Sequence, residues 1–143
     1  MNADRPSSLH DRDTTALEAA RIKRDRAEGG EATVSLDLPA SLPSHVAGSH
    51  TGAMMQLLES AMSHAALSKV DYTKGVVTLD ISLAFLKPAS GRLVAVGKVT
   101  GGGRSVCFCE ARLTDAAGDL AAQAMGTLKY RPAEPSPEAK AAN

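Results

Sequence analysis

One stretch decides the fold: Gly48-Ser-His-Thr-Gly-Ala-Met-Met-Gln-Leu-Leu-Glu-Ser-Ala-Met-Ser-His-Ala-Ala-Leu67, the longest helix-like run in the chain. At about 100° per residue, its apolar side chains form a stripe on one side of a helix, and such a stripe must pack against another element. Ser49 or Thr51 is predicted to cap this helix, because either hydroxyl can accept a hydrogen bond from a free first-turn N–H. The stripe consists of Met54, Leu57, Leu58, Ala61 and Ala65.

The opposite side of this helix carries polar residues. Gln56, Glu59 and Ser63 fall together there, and Glu59 and Ser63 are i, i+4 neighbours whose side chains can touch. His50 and Gly52 stand at the helix entrance, where free N–H groups form an anion-binding site. The stretch is otherwise poor in charge, so we interpret Glu59 as a functional carboxylate rather than as part of a solvated surface.

Size and composition limit the class of protein. A chain of 143 residues predicts one domain, and a formal net charge of zero argues against broad electrostatic binding to nucleic acid or membranes. We find no apolar run near 18 residues, so no membrane span or secretory signal is expected. The two cysteines, Cys107 and Cys109, should point the same way from a strand as buried free thiols. Such thiols suit a reducing compartment, and we expect a cytoplasmic protein.

The rest of the chain divides into three parts. Residues 1–30 are predicted to be a polar segment with a short charged helix at residues 14–26, ended by Gly29 and Gly30. The main domain follows at residues 31–131, and the Pro- and Ala-rich residues 132–143 are predicted to be a disordered tail. Alternating apolar residues predict strands at 31–38, 76–85, 93–100, 105–114 and 120–130. In the second of these strands, the alternation places on one face Val77, Leu79, Ile81, Leu83 and Phe85.

The order of these elements predicts an α+β fold. A strand, a long helix and four strands joined by short turns favour an antiparallel meander with one apolar face. Only the long helix is large enough to cover that face. We therefore predict a central helix wrapped by a curved antiparallel sheet of five or six strands. Open sheet edges further predict a dimer.

Several motifs in this order resemble the hotdog-fold acyl-CoA thioesterases of the phenylacetic-acid-pathway and Arthrobacter-type 4-hydroxybenzoyl-CoA kind. His50-Thr-Gly52 is similar to the His-Gly-Gly entrance of their central helix, and Glu59 follows nine residues after the histidine, where the family has its acid. Phe85-Leu-Lys-Pro88 is similar to the family's Phe-Leu-Arg-Pro. Gly103-Arg-Ser105 and residues 115–122 resemble later strands and a turn. The resemblance covers about residues 31–131 and implies a hotdog fold and thioester hydrolysis.

The resemblance also implies roles for individual residues. Glu59 would attack the thioester carbon or activate a water, and Ser63 would help hold that water. The N–H of Thr51 would polarise the carbonyl, with Gly52 beside it and His50 shaping the entrance. The thioester is then the substrate, and no cofactor or metal is expected. The predicted substrate contacts, including CoA phosphates, are His45, Gly48, Lys87, Arg104, Ser105 and Arg131. The family's assembly implies a homodimer with active sites at its interface, within a homotetramer.

Two alternative functions remain open. Hotdog-fold hydroxyacyl thioester dehydratases use a histidine and a glutamate fourteen residues apart, which is the separation of His45 and Glu59. His45 would then remove the α-proton while Glu59 protonates the leaving hydroxyl. The other alternative is a non-catalytic acyl-CoA-binding protein. It follows from Thr51, which stands where the family usually has glycine and could close the oxyanion position.

Overall fold

The computed structural model describes residues 22–38 and 47–133, which form one antiparallel sheet and one long helix. The sheet has six strands in the order β1-β2-β4-β5-β6-β3. The elements are β1 (Lys23–Glu28), β2 (Glu31–Leu38), α1 (Ala47–Lys69), β3 (Lys74–Phe85), β4 (Gly91–Gly102), β5 (Val106–Thr114) and β6 (Leu120–Pro132). The predicted α+β hotdog fold, with a sheet of five or six strands around a central helix, is confirmed.

The helix lies directly on the sheet at one glycine. A side chain at Gly97 of β4 would overlap the backbone of Ala61 and Met62, so only glycine permits this approach. On either side of this contact the predicted apolar stripe of α1 is buried against the strands. The core therefore forms between one face of α1 and the concave face of the sheet.

Hydrogen bonds fix the last turns of α1. The hydroxyl of Ser68 accepts from the N–H of Gly30 at 3.0 Å and donates to the carbonyl of Ala65 at 2.8 Å. The Tyr130 hydroxyl of β6 donates to the carbonyl of Ala66 at 2.7 Å. Because these groups are buried, leaving any of them unpaired would cost free energy. They hold both the β1–β2 turn and β6 against the helix end.

The predicted short helix at residues 14–26 is wrong where the structure describes the chain. Lys23–Glu28 is strand β1, which pairs with β2 through a turn at Gly29 and Gly30, where φ is 60° and 91°. The charged side chains suited either an exposed helix or an exposed edge strand, and the glycine turn favours the strand. The sheet thus begins at Lys23, before the predicted start at residue 31. The remaining residues of the predicted helix, 14–21, and most of the predicted tail, 134–143, lie outside the described residues.

The predicted meander is correct only for β4, β5 and β6. β3 pairs with β6, and β4 pairs with β2, so β3 forms an edge of the sheet. The turn at residues 115–118 contains Gly118 with φ 85° and joins neighbouring strands tightly. The linker at residues 86–90 lacks such a tight turn and contains Pro88, which has no N–H to donate. Short length alone therefore did not make β3 and β4 neighbours.

A β-bulge divides β3 into two halves. The register between β3 and β6 shifts between Thr78 and Asp80, which adds one residue, Leu79, to β3. Val77 is 40% exposed and Leu79 is 53% exposed, whereas Ile81 packs against the core. The prediction that these three residues share one face is therefore wrong, because an extra residue reverses the alternation. Thr78 consequently turns toward the helix.

The helix begins earlier than predicted. Its first residue is Ala47, so Ser49 and Thr51 lie inside it rather than at its cap. The four N–H groups without an intrahelical acceptor are those of residues 47–50, and Thr51 is the fifth residue. The side chains of residues 47–50, including His50, lie outside the described part of the chain.

We expect the substitution Gly97→Ala to lower the free energy of unfolding by about 3 kcal/mol, because a methyl group would push against the helix backbone. The matched control is Gly103→Ala, since a side chain there meets nothing within 4 Å. Urea unfolding followed by circular dichroism measures both effects. Equal stability of the two variants would show that the helix can move away from β4 at little cost.

Candidate active site

The predicted catalytic carboxylate, that of Glu59, is exposed and lies beside β3, an edge strand of the sheet. Glu59 is exposed on α1 and is the only acidic residue of this helix. Its Oε1 accepts a hydrogen bond of 3.5 Å from Oγ1 of Thr78 on β3. Among the described residues, Thr78 is the only one that hydrogen-bonds to this carboxylate. Glu59 therefore lies beside an edge strand, at a distance from Thr78 that allows a weak hydrogen bond.

Thr78 is the site residue that the sequence analysis missed. Strict alternation along β3 placed it on the face away from the helix, and the bulge at Leu79 brings it to the near face. The sequence signal for such a bulge is weak, because Thr-Leu-Asp continues an ordinary strand pattern. Thr78 adds a hydroxyl that can donate to Glu59 or to a water held beside it.

Ser63 lies one helical turn beyond Glu59, as predicted, and its side chain is half-buried. Within the described residues its hydroxyl has no hydrogen-bond partner. Residues four apart on a helix are neighbours, so Ser63, Glu59 and Thr78 bring two hydroxyls and one carboxylate to the same place. Such a group can bind and orient a water molecule.

The start of α1 is too far from Glu59 for both to act on one thioester within a single protomer. Eight residues separate Thr51 from Glu59, which corresponds to about 12 Å along a helix. A nucleophile and oxyanion donors must each lie about 3 Å from the same carbonyl group. Within one protomer, Glu59 and the donors at the helix start therefore cannot both contact the same carbonyl group.

Open space adjoins the start of the helix. A Cβ added at Gly52 would meet nothing within 4 Å, so no described residue covers this surface of α1. Gly48 is the second residue of the helix, and its N–H is among the free donors. His45 lies outside the described residues, so its predicted substrate contact stays a prediction.

The structure brings three of the predicted substrate contacts together at the other end of the helix. Arg104 and Tyr130 line a hollow of about 340 Å³ near the end of α1. The carbonyl of Ser105 accepts from the N–H of Tyr130 at 2.8 Å, and Arg131 follows directly in β6. Lys69 and Lys74 also line this hollow. Its rim is thus rich in cationic side chains that suit phosphate groups.

Lys87 lies apart from this group. It follows the opposite end of β3, and its Nζ lies 2.7 Å from Asp115 and 3.2 Å from Asp119. These hydrogen bonds raise the pKa of Lys87, and the bond from Lys87 lowers the pKa of Asp115. A phosphate would have to compete with two carboxylates, so the geometry favours a role in joining the β3–β4 loop to the β5–β6 turn.

The thiols are unsuited to nucleophilic chemistry. Cys107 and Cys109 are buried and free, as predicted, with their sulfurs 3.8 Å apart. Burial, together with the adjacent Cys107, raises the pKa of Cys109 to about 12, so this thiol stays protonated at neutral pH. Burial and a hydrogen bond with Cys107 also raise the pKa of Tyr130. Glu59 is therefore the better candidate for a nucleophile or base.

Residues 22–38 and 47–133 contain neither a metal-binding cluster nor a membrane-spanning helix. No group of three or more His, Cys, Asp or Glu side chains there is arranged to hold a metal ion. None of the helices in these ranges combines the length and the apolar character that a membrane span requires.

Comparison with known families identifies the class. The family model of the thioesterase superfamily matches residues 49–122, which is just over half of the 143-residue chain. The match covers α1, with Glu59, and continues through β3, β4 and β5. The chain therefore belongs to the thioesterase superfamily. A search of curated proteins found no match.

Solved structures show the same fold. A conserved protein from Pseudomonas aeruginosa is 25% identical, with a TM-score of 0.72, over 81% of this chain and 93% of that chain. The Escherichia coli PaaI protein from the phenylacetic acid degradation operon is 20% identical, with a TM-score of 0.72, over 87% and 89%. A Streptococcus mutans protein bound to acetyl-CoA is 19% identical, with a TM-score of 0.69, over 80% and 92%. These likenesses confirm the architecture.

Close to the site, His64 provides a measurable electrostatic probe. Its Nδ1 lies 3.0 Å from the Tyr72 hydroxyl, and the Arg24 guanidinium lies over the Tyr72 ring at 5.1 Å. Burial lowers the pKa of His64 below its usual 6.5, and the charge of Arg24 lowers it further. The native state therefore favours neutral imidazole.

We expect Arg24→Gln to raise the pKa of His64 toward 6.5, because removing the positive charge favours the imidazolium. An NMR titration of the imidazole signals measures this change, and Lys23→Gln on the same strand is the control. An unchanged pKa in Arg24→Gln would show that burial acts alone. In the wild type, the free energy of unfolding should fall as the pH drops below 6.5, since the unfolded chain binds the proton more readily.

Proposed function

We propose that this protein is an acyl-CoA thioesterase whose active sites form between two protomers. The observation that supports this most directly is the position of Glu59, which lies 3.5 Å from the Thr78 hydroxyl on edge strand β3 and about 12 Å along the helix from Thr51. The family match supplies the reaction class. Because Thr51 and Glu59 lie too far apart on one helix to act on the same carbonyl group, a second protomer is needed to bring a helix start close to Glu59.

The edge of β3 is the proposed contact between protomers. This strand is 12 residues long, and its outer backbone groups have no strand partner among the described residues. Val77, Leu79 and Phe85 are exposed on it. Antiparallel pairing of two β3 strands would satisfy the backbone groups and cover these side chains. It would also carry the helix start of one protomer toward Glu59 of the other.

In the proposed reaction, the thioester carbonyl lies at the start of one protomer's helix. Free N–H groups of residues 47–50 and the helix dipole stabilise the developing oxyanion. Thr51, the donor implied by the resemblance, can contribute only by giving up its intrahelical bond. His50 and Gly52 flank this position along the helix. A donor set in the first helical turn, before Thr51, therefore fits the helix better.

Glu59 of the other protomer then promotes attack on the carbonyl carbon. Its carboxylate either bonds to the carbonyl carbon or removes a proton from a water that bonds there. Thr78 and Ser63 orient the carboxylate or that water. The tetrahedral intermediate collapses with loss of the CoA thiolate, which is a good leaving group. On the water route this releases the free acid directly, and on the covalent route a water then hydrolyses the mixed anhydride and frees Glu59. No cofactor is required for this sequence of steps.

The nucleotide end of CoA fits the cationic hollow at the end of α1. Arg104 lines it and Ser105 and Arg131 lie beside it, so these residues are the proposed phosphate contacts. Lys87 is left out of this proposal because it is bonded to Asp115 and Asp119. The acyl group would lie near Gly52, where no described residue lies within 4 Å of the place a Cβ would take.

Thiol release from a panel of acyl-CoAs tests the reaction. We expect Glu59→Gln to lower kcat by about 10²- to 10⁴-fold, because the nucleophile or general base is lost. Thr78→Val should lower it by about tenfold, and Thr78→Ser should retain activity, since serine keeps the donor to the carboxylate. His45→Ala is the control that separates this chemistry from dehydration.

The alternatives give different results in this assay. Absence of thiol release by the wild type from every acyl-CoA would overturn the proposal. Hydration of an enoyl-CoA that requires both His45 and Glu59 would instead establish the dehydratase. Binding of CoA without turnover in either assay would establish a non-catalytic acyl-CoA-binding protein.

Mixing two inactive variants tests whether the site is shared. Gly52→Leu should block the open helix surface, and Glu59→Gln should remove the carboxylate, so each homodimer is inactive. After the two variants are mixed and refolded together, heterodimers carry one intact site, and about one quarter of wild-type activity should return. If both groups served a site within one protomer, mixing would restore nothing. Each variant refolded alone is the control.

A further inference from the structure

Met55 is the one methionine of α1 that lies outside the core. Met54 and Met62 are buried, whereas Met55 is 41% exposed. Met55 precedes Glu59 by four residues, so the two side chains are neighbours on the surface of the helix. A thioether side chain is flexible and apolar, and it adapts its shape to an apolar ligand. Met55 can therefore contact an acyl group whose carbonyl carbon lies at Glu59.

One narrow stripe along α1 contains two glycines, this methionine and the carboxylate. At about 100° per residue, its four members fall within about 60° of one another around the helix axis: Gly48, Gly52, Met55 and Glu59. A Cβ added at Gly52 would meet nothing within 4 Å among the described residues. The stripe thus changes from residues without a side chain to residues with long side chains as it runs along the helix.

A two-fold axis brings opposite ends of this stripe together. The inference rests on the proposed function, in which Glu59 of one protomer acts at the helix start of the other, where the N–H of Gly48 is a free donor. Because the proposed β3 pairing is antiparallel, the two helices beside these strands also run antiparallel. When Glu59 lies opposite Gly48 of the other protomer, Met55 lies opposite Gly52 of that protomer, one turn further along. Each long side chain then faces a glycine.

The direction of the bound thioester follows from the cationic hollow at the end of α1. Lys69, which lines this hollow, is ten residues beyond Glu59, or about 15 Å along the helix. The CoA portion therefore approaches Glu59 from the helix end, and the acyl group continues from the carbonyl toward Met55. Its path passes between Met55 of one protomer and Gly52 of the other.

We propose that Met55 sets the maximum length of the acyl group and selects short acyl chains. Four residues separate Glu59 from Met55, which is about 6 Å along the helix. An extended chain advances about 1.2 Å per bond, so about five bonds bring its end to Met55. Acyl groups of up to about six carbons fit before this side chain, and longer ones must displace it.

Calorimetric binding of S-alkyl-CoA thioethers tests this limit, because these compounds keep CoA and the chain but contain no thioester. In the wild type, affinity should rise about fourfold with each added CH₂ up to a hexyl chain, as apolar burial predicts, and then fall. Met55→Ala should extend the rise to about a nonyl chain, since three heavy atoms beyond Cβ are removed. Met125→Ala is the matched control, because this methionine is 68% exposed on β6, away from the proposed path.

The opposite position gives a second test. Gly52→Ala adds a methyl group that meets nothing within its own chain, so any effect on ligand length must arise where the two helices face each other. We expect Gly52→Ala to weaken binding of the hexyl compound by about fivefold or more and to leave the ethyl compound unaffected. The two substitutions should thus move the length limit in opposite directions.

Several outcomes would overturn the proposal. One is an effect of Met55→Ala that is equal for every chain length, as a purely structural role predicts. Others are wild-type affinity that keeps rising beyond an octyl chain, or no binding of any S-alkyl-CoA. Thiol release from acetyl- to dodecanoyl-CoA, measured in parallel, tests the proposed activity separately. Binding that depends on chain length and on Met55, without thiol release, would support the length limit and contradict only the thioesterase.

Discussion

The contact between the α1 backbone and Gly97 is the constraint on which the remaining structure depends. Because Gly97 of β4 has no side chain, the helix lies as close to the sheet as backbone atoms permit. This depth buries the apolar stripe and sets the rotation of α1. Glu59 lies two residues before the contact and consequently points toward β3 rather than into the core. The position of the Glu59 carboxylate thus depends on the absence of a side chain at Gly97 of β4.

The sequence predicted most of what depends on periodic burial. The apolar stripe of α1, the alternation along β4 and β5 and the two cysteines facing one side are repeated signals, and all three are confirmed. The carboxylate on the far side of the helix could be recognised because it was the only acid there. These features follow from local chemistry and from a 3.6-residue or two-residue period. The catalytic roles of Glu59, His50, Thr51, Gly52 and Ser63 remain predictions.

What the sequence did not predict depends on non-local pairing. Whether residues 23–28 form a helix or a strand is decided by β2, and whether β3 neighbours β4 is decided by the path around the sheet. Lys87 is bonded to a turn that lies 28 residues later in the chain. The β3 bulge is another case, because one extra residue leaves the apolar pattern almost unchanged while moving Thr78 to the helix side.

That bulge determines which side chains in the first half of β3 face the helix. If Leu79 paired with β6 instead of bulging, the second half of β3 would stay paired as before and the first half would turn over. The sequence would be unchanged, yet the hydroxyl of Thr78 would point away from Glu59. Within this fold, a shift of one residue in the pairing of an edge strand can therefore separate related chains more sharply than many substitutions, and percentage identity would scarcely register the difference.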